Sequence, residues 1–219
     1  ELRTPLTSLT GFIELVLDGA GGEVKPPMKR LLNKAYTNGV RLSRLVADIL
    51  DISRLESGNL ALEMSEVSLQ GLLAELGDSM LPQFQEKLLE VRFRFPEKLR
   101  AVWADRERCV QVFSNLLTNA LRYTQAGGTV DVSGKQVGDR IEVCVRDTGI
   151  GIRPENQARI FDKFVRLSSD GRRPPGSTGL GLAITKTLVE SQGGSIRLES
   201  EYVKGSAFTI SLPVAERPE

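Results

Sequence analysis

The sequence predicts an α+β protein in two parts, and three observations lead there. Two heptad-spaced apolar seams occupy the amino-terminal stretch, a glycine- and proline-rich break separates them, and strand-like and helical segments with antiparallel hairpins follow. At 219 residues, with 40% hydrophobic and 26% charged content, the chain is an ordinary globular one, large enough for two small domains or one large one.

In the first part, Leu2, Leu6, Leu9, Ile13 and Val16 step by four and three, and so do Met28, Leu31, Ala35, Asn38, Leu42, Leu45, Ile49 and Ile52. Asp18-Gly19-Ala20-Gly21-Gly22 and Pro26-Pro27 break any continuous helix, which gives an antiparallel hairpin of one shorter and one longer arm. Phe12, Leu17, Leu32, Val46 and Leu50 widen the stripe beyond a two-helix contact. A second hairpin, as in a dimeric four-helix bundle, is the favoured cover, with Asn38 as a register-setting polar residue; packing against the second domain is the alternative. Glu56-Ser57-Gly58-Asn59 marks the boundary, giving domains 1–57 and 58–219.

In the second part, Leu60 to Val67 reads as a strand and Ser68 to about Leu88 as a helix kinked near Pro82. Strands follow at Val91 to Phe95 and Val102 to Ala104, and Asp105 is placed to cap a helix. Thr129 to Val137 and Arg140 to Asp147 form a hairpin about Gly138-Asp139, with further strands at Ser195 to Glu201 and Ala207 to Leu212.

Composition removes several function classes. With 29 basic and 28 acidic residues the net charge is +1, so a nucleic-acid-binding surface has no electrostatic support. The count of histidines is 0, which removes most zinc sites, every Ser-His or Cys-His nucleophile, and any phosphohistidine within these residues. Cys109 and Cys144 read as small buried hydrophobes in a reducing compartment. No apolar run reaches transmembrane length, no signal peptide opens the chain, and the start without methionine suggests a piece of a longer protein.

The chemistry-bearing residues cluster in the second part. On the helix after Asp105, Asn115 and Asn119 lie one turn apart on one face, with the cation of Arg122 three residues on, a suitable seat for a metal and a phosphate. Downstream come Asp147-Thr148-Gly149-Ile150-Gly151, Gly176-Ser177-Thr178-Gly179-Leu180-Gly181 and Gly193-Gly194, each allowing close backbone approach. Asp147 ends an alternating strand, so its acceptor-only carboxylate reaches the sheet rim; taken alone it is better read as a strand-ending turn. The helix after Gly179 can turn free N–H groups and its positive dipole end toward phosphate, although a lone Gly-x-Gly is weak evidence. Phe161 and Phe164, three apart on a short helix, read physically as core. Leu167 to Gly176 is a polar, glycine- and proline-rich loop long enough to move.

These boxes, with Phe161-Asp162-Lys163-Phe164 and the opening Glu1-Leu2-Arg3-Thr4-Pro5-Leu6, closely resemble the catalytic core of sensor histidine kinases over essentially the whole chain. The opening is similar to the phosphoacceptor box His-Glu-Leu-Arg-Thr-Pro-Leu, with the histidine falling just before Glu1. The resemblance implies a Bergerat-type α/β sandwich binding Mg²⁺ and ATP, a homodimer through residues 1–57, a response-regulator receiver domain as partner, and a cytoplasmic location with membrane attachment only through an upstream sensor region.

Residue by residue, the resemblance implies that Asp147 takes the adenine amino group, with Gly149, Gly151 and Ile152 beside the base. Asn119 takes Mg²⁺ with Asn115 alongside, Arg122 and Arg166 touch phosphate, and Tyr123 packs on the nucleotide. Thr178, Gly179, Leu180, Gly181 and Leu182 cradle phosphate, Leu167 to Gly176 is the ATP lid, and Phe161 and Phe164 support it. Glu1 polarises the acceptor ring and Thr4 helps position water for dephosphorylation of the partner. Arg122 stands where the family commonly has lysine. Hydrolytic relatives carry a glutamate as general base at the position of Asn115, so γ-phosphoryl transfer to a histidine and then to a response-regulator aspartate is expected, with Asn115 and Arg122 in the chemistry. As it stands the chain is expected not to phosphorylate itself on histidine. A nucleotide-binding adaptor without autophosphorylation is the rival; a gyrase-like or chaperone-like ATPase is disfavoured by Asn115 and by the heptad hairpin.

Overall fold

A computed structural model describes residues 3–56, 61–165 and 178–215; Glu1, Arg166 and the loop 167–176 lie outside the described residues. The chain divides into two units, one holding the first two helices and the other the segment from Ala61 with the chain after Gly179.

In the first unit, α1 (Arg3–Leu17) and α2 (Pro26–Glu56) form the expected hairpin. Pro26 and Pro27 stand in the first turn of α2, where the missing N–H groups are no loss. The helices approach closely at Gly39, where a Cβ would lie 2.7 Å from Cγ2 of Thr10. On α1 the less exposed positions are Leu6, Thr10, Ile13 and Leu17, whereas Leu9, Phe12 and Val16 are exposed. The seam expected on α1 therefore splits between an inner and an outer face, because a single contact of two straight helices covers only one stripe.

In the second unit, β1 (Met64–Val67) pairs antiparallel with β3 (Val102–Asp105). The strand expected from Leu60 starts later because its partner is only four residues long; Glu63 N–H instead donates to the Asp105 carboxylate over 2.9 Å. α3 (Leu69–Glu86) is capped by the Ser68 hydroxyl and runs through Pro82. Leu88, with φ of 58°, reverses the chain into β2 (Glu90–Arg94). α4 (Arg106–Tyr123) follows β3, capped by Asp105 as expected. The hairpin β4 (Thr129–Val137) and β5 (Arg140–Asp147) has the expected bounds. A short α5 (Pro154–Gln157), α6 (Gly181–Glu190), β6 (Ser195–Glu201) and β7 (Gly205–Pro213) complete the unit.

The larger sheet has the order β2-β4-β5-β7-β6, with β2–β4 parallel and the rest antiparallel. α4 packs between α3 and α6 and against β5, which makes it the middle of a helical layer. The central strands β4, β5 and β7 bury Val130, Val132, Ile141, Val143, Val145, Ile210 and Leu212, and α4 buries Phe113, Leu116 and Leu117. Together the hairpin and this helix-covered mixed sheet form the α+β architecture read from the sequence.

At the amino end of α4 sits a buried polar node. Gln192, 3% exposed, accepts from Asp105 N–H over 2.8 Å and donates to the Leu188 carbonyl over 2.7 Å. Cys109 lies beside it, and burial pushes its thiol up to about 12, so it serves as a neutral packing group. Cys144 is only partly buried, because its position on β5 alternates with the core positions. Gln192→Ala leaves the Asp105 N–H without its partner and is expected to cost about 2 kcal/mol. That is a fall of roughly 4–8 °C in melting temperature for a domain of this size; an unchanged melting curve by circular dichroism would remove the node from the account.

Candidate functional site

α4 brings Asn115, Asn119, Arg122 and Tyr123 of the expected site onto one element, and its sequence explains its strength. Asp105 caps its amino end, Glu107 lies in the first turn and Arg122 in the last, all favourable to the helix dipole. Cys109, Val112, Phe113, Leu116, Leu117 and Ala120 bury one stripe, which leaves Asn115, Asn119, Arg122 and Tyr123 half-buried along its edge.

Asn115 Nδ2 donates to Thr185 Oγ1 of α6 over 2.8 Å. A Cβ on Gly181 would lie 2.5 Å from Asn115 Oδ1, so only glycine lets α6 approach the carboxamide this closely. The side chains of Asn119 and Arg122 make no hydrogen bond or ion pair to another described residue, which leaves a neutral oxygen donor and a cation free for a ligand. Among the described residues no three His, Cys, Asp or Glu side chains converge on a metal position. A cation beside Asn119 would therefore take most of its oxygens from a bound phosphate and water, as suits Mg²⁺.

At the other end of α4, the Tyr123 carbonyl accepts from Ile150 N–H over 3.3 Å. A Cβ on Gly149 would lie 2.5 Å from that oxygen, and one on Gly151, whose φ is 61°, would lie 2.1 Å from the carbonyl of Glu201. These two glycines are thus required by the protein's own packing, a reason the sequence reading had assigned to a ligand. Asp147 is 8% exposed, and its Oδ1 accepts from Gly149 N–H over 2.9 Å. Burial raises its carboxyl pKa from its ordinary value, partly offset by the N–H groups of Gly149 and Ser206 and by Arg146. A buried acceptor held only by backbone donors is chemically ready for a ligand amino group.

Before α6, Leu180 is fully buried and its side chain makes no cap to the first turn. Gly179 has φ of 76°, and a Cβ there would lie 2.9 Å from the backbone of Phe164 and Val165, while Leu182 is half-buried.

Two expectations are corrected, one for Phe161 with Phe164 and one for Gly193-Gly194. Phe161 and Phe164 do not lie on a helix but in turns; Phe164 is 68% exposed with φ of 63°, so it is not core. Lys186 Nζ lies 5.8 Å from the Phe161 ring. Gly193-Gly194 lies at the far end of α6, where a Cβ on Gly194 would strike the Ser211 carbonyl at 2.7 Å, and so belongs to a turn. On the single hairpin Asn38 is exposed, as are Met28, Leu31, Leu42 and Ile49 of the same seam, and its neighbour Gly39 is buried. Thr4 is exposed in the first turn of α1.

Some supporting residues escaped sequence reasoning. Lys87 Nζ donates to the carbonyls of Leu121 and Arg122 over 2.6 and 2.9 Å, closing the last turn of α4. Partial burial there lowers its pKa below the usual lysine value. Ser200 Oγ accepts from Ile152 N–H over 2.9 Å, and Gln157 Nε2 donates to the carbonyls of Ile152 and Ser200. Nothing in their local sequence marks them, since each partner comes from another element.

Comparison with known proteins agrees with this geometry. Residues 104–216 match the "Histidine kinase-, DNA gyrase B-, and HSP90-like ATPase" family, and residues 1–58 match the "His Kinase A (phospho-acceptor) domain". The circadian input-output histidine kinase CikA of Synechococcus elongatus is 38% identical over 97% of this chain and 28% of its own length. The sensor protein SrrB of Staphylococcus aureus is 34% identical over 99% of this chain and 37% of its own. The chain thus spans well under half of these curated relatives. Among solved structures, full-length ShkA in complex with AMPPNP superposes with a TM-score of 0.82 at 30% identity, covering 100% of this chain and 45% of that one. The Acinetobacter baumannii histidine kinase AdeS gives 0.70 at 26% identity, covering 99% and 98%. A phospho-acceptor hairpin joined to an ATP-binding domain of this fold places the chain in the sensor histidine kinase family, as a catalytic core of two-component signal transduction.

Proposed function

We propose that this chain binds Mg·ATP, transfers the γ-phosphoryl group to a histidine outside these residues, and serves passage of that group to an aspartate of a response-regulator receiver domain. In this reading residues 1–57 are the dimerisation and phosphotransfer hairpin and 58–219 the catalytic ATP-binding domain. The observation that carries it is Asn115, a neutral carboxamide clamped against the glycine turn of α6. A carboxamide takes no proton near neutral pH, so this position does not activate water for hydrolysis. The same side chain suits a reaction governed by positioning and charge neutralisation. ShkA, solved with AMPPNP, supports a nucleotide in the corresponding domain.

The residues then have these roles. Asp147 accepts from the adenine amino group, flanked by Gly149, Gly151 and Ile152. Asn119 offers its carbonyl oxygen to Mg²⁺, and Arg122 its charge to phosphate. Thr178 to Leu182 supply backbone N–H groups to phosphate, Tyr123 packs on the nucleotide, Phe161 and Phe164 support the lid, and Arg166 is a further phosphate contact. Glu1 and Thr4 flank the acceptor position. Magnesium, when bound, neutralises charge that develops on the phosphate oxygens.

Asp147→Asn is expected to weaken ADP binding by about tenfold or more, since a donor then faces the adenine donor. The carboxyl's raised pKa fixes the sign of a pH effect. The ionised form accepts the amino group, so affinity should fall as pH drops through the carboxyl's titration, which burial places above its ordinary value, and the asparagine variant should lose that slope. Equal calorimetric affinities for the two proteins would remove Asp147 from the site.

On α2, Met28, Leu31, Leu42 and Ile49 are 54%, 63%, 48% and 52% exposed and share one seam. A second copy of the hairpin fits this face. Leu42→Glu should convert a concentration-dependent dimer to monomer in sedimentation; an unaltered profile would place the dimer contact elsewhere.

The chain contains 0 histidines, so it carries no acceptor imidazole of its own. Adding a histidine before Glu1, with further helical residues upstream, should yield acid-labile, base-stable label from γ-labelled ATP. A protein so extended that dimerises and binds nucleotide yet takes no label would favour the adaptor reading.

A further inference from the structure

Asn115 and Thr185 meet across the contact of α4 with α6, at 2.8 Å between Nδ2 and Oγ1. Thr185 is 1% exposed, so water does not compete for this bond. One turn earlier on the same helix, Gly181 abuts the other end of the carboxamide; a Cβ there would lie 2.5 Å from Oδ1 and 3.0 Å from Nδ2. Two residues four apart on α6 therefore grip a single amide on α4. Its nitrogen is committed to Thr185, and its oxygen is the atom left beside the first turn of α6.

We propose that Thr185 is a positioning residue for phosphoryl transfer: its hydroxyl fixes the Asn115 carboxamide with Oδ1 toward the first turn of α6. This rests on the reading of the site given above. The orientation matters because the two ends of a carboxamide are opposite in character. The oxygen is a hard donor atom that tolerates a nearby divalent cation, whereas the NH₂ group repels it and can only donate. In the structure Thr185 accepts from the NH₂ end, which leaves the oxygen end toward the first turn of α6. The same bond ties α6 to the helix that carries Asn119, so the N–H groups of the first turn of α6 and the cation-facing oxygen keep one mutual geometry.

Thr185→Val keeps the side chain's shape and removes the acceptor, while Thr185→Ser keeps the acceptor. In the nucleotide-free chain, nitrogen-15 NMR should show protected Asn115 side-chain amide protons in wild type and in Thr185→Ser, and exchange-broadened ones in Thr185→Val. In titrations with ADP, the valine variant should lose about tenfold of the affinity that Mg²⁺ adds, while affinity in a chelator stays at the wild-type level, and serine should restore the loss. Thr185→Ala provides the same test should valine fail to fold. The proposal is overturned if the acceptor-less variants keep both the protected amide and the full magnesium effect, or if serine is impaired as much as valine. If wild type shows no magnesium-dependent ADP binding, the reading of the site falls, whereas the NMR comparison still decides whether Thr185 orients Asn115.

Discussion

The carbonyl of Tyr123 accepts from Ile150 N–H and lies so close to Gly149 that any side chain there would strike it. Such a hydrogen bond contributes only about 1 kcal/mol, but the steric constraint is much harder. It fixes the loop after Asp147 to the end of α4, and Gly149 N–H in turn holds the Asp147 carboxylate. The end of α4 is itself closed by the Lys87 ammonium on the carbonyls of Leu121 and Arg122, a cation at the negative end of the helix dipole. A chain of short contacts thus runs from α3 through α4 to the buried acid at the sheet rim.

The middle and start of the same helix are held as firmly. Asn115 is gripped by Gly181 and Thr185 of α6, and Asp105 at the amino end is locked to Gln192 just beyond α6. Helix α6 therefore touches α4 near both of its own ends, and the turn preceding it inherits a fixed position. A Cβ on Gly179 would lie 2.9 Å from the backbone of Phe164 and Val165. A rigid helix with Asp147 near one end and the α6 turn against its middle is a frame on which a nucleotide can span both without the helices having to move.

Much of this was legible in the sequence because it rests on local rules. The bounds of β4 and β5 follow from two-residue alternation around Gly138-Asp139, and the cap at Asp105 from side-chain chemistry at a strand-to-helix junction. What remained hidden depends on contacts between distant elements. The parallel pairing of β2 with β4 and the short β1–β3 ladder have no local signature. Gly149 and Gly151 read as ligand cradles, yet the carbonyls of Tyr123 and Glu201 demand them. Phe161 and Phe164 had helical spacing, but so few residues between Pro154 and Val165 cannot build a stable helix without burying a face. Thr185 and Lys87 acquire their roles only from packing against α4.

The central claim is that α4 joins the Asp147 loop and the α6 turn into one nucleotide site. Hydrogen exchange of the full chain, measured with and without Mg·ADP, tests it most directly. The account expects slowed exchange together at residues 147–152, at 181–186 and in the last turn of α4. Slowing confined to one of these segments, or found instead on the outer strands of the sheet while these stay unchanged, would contradict it.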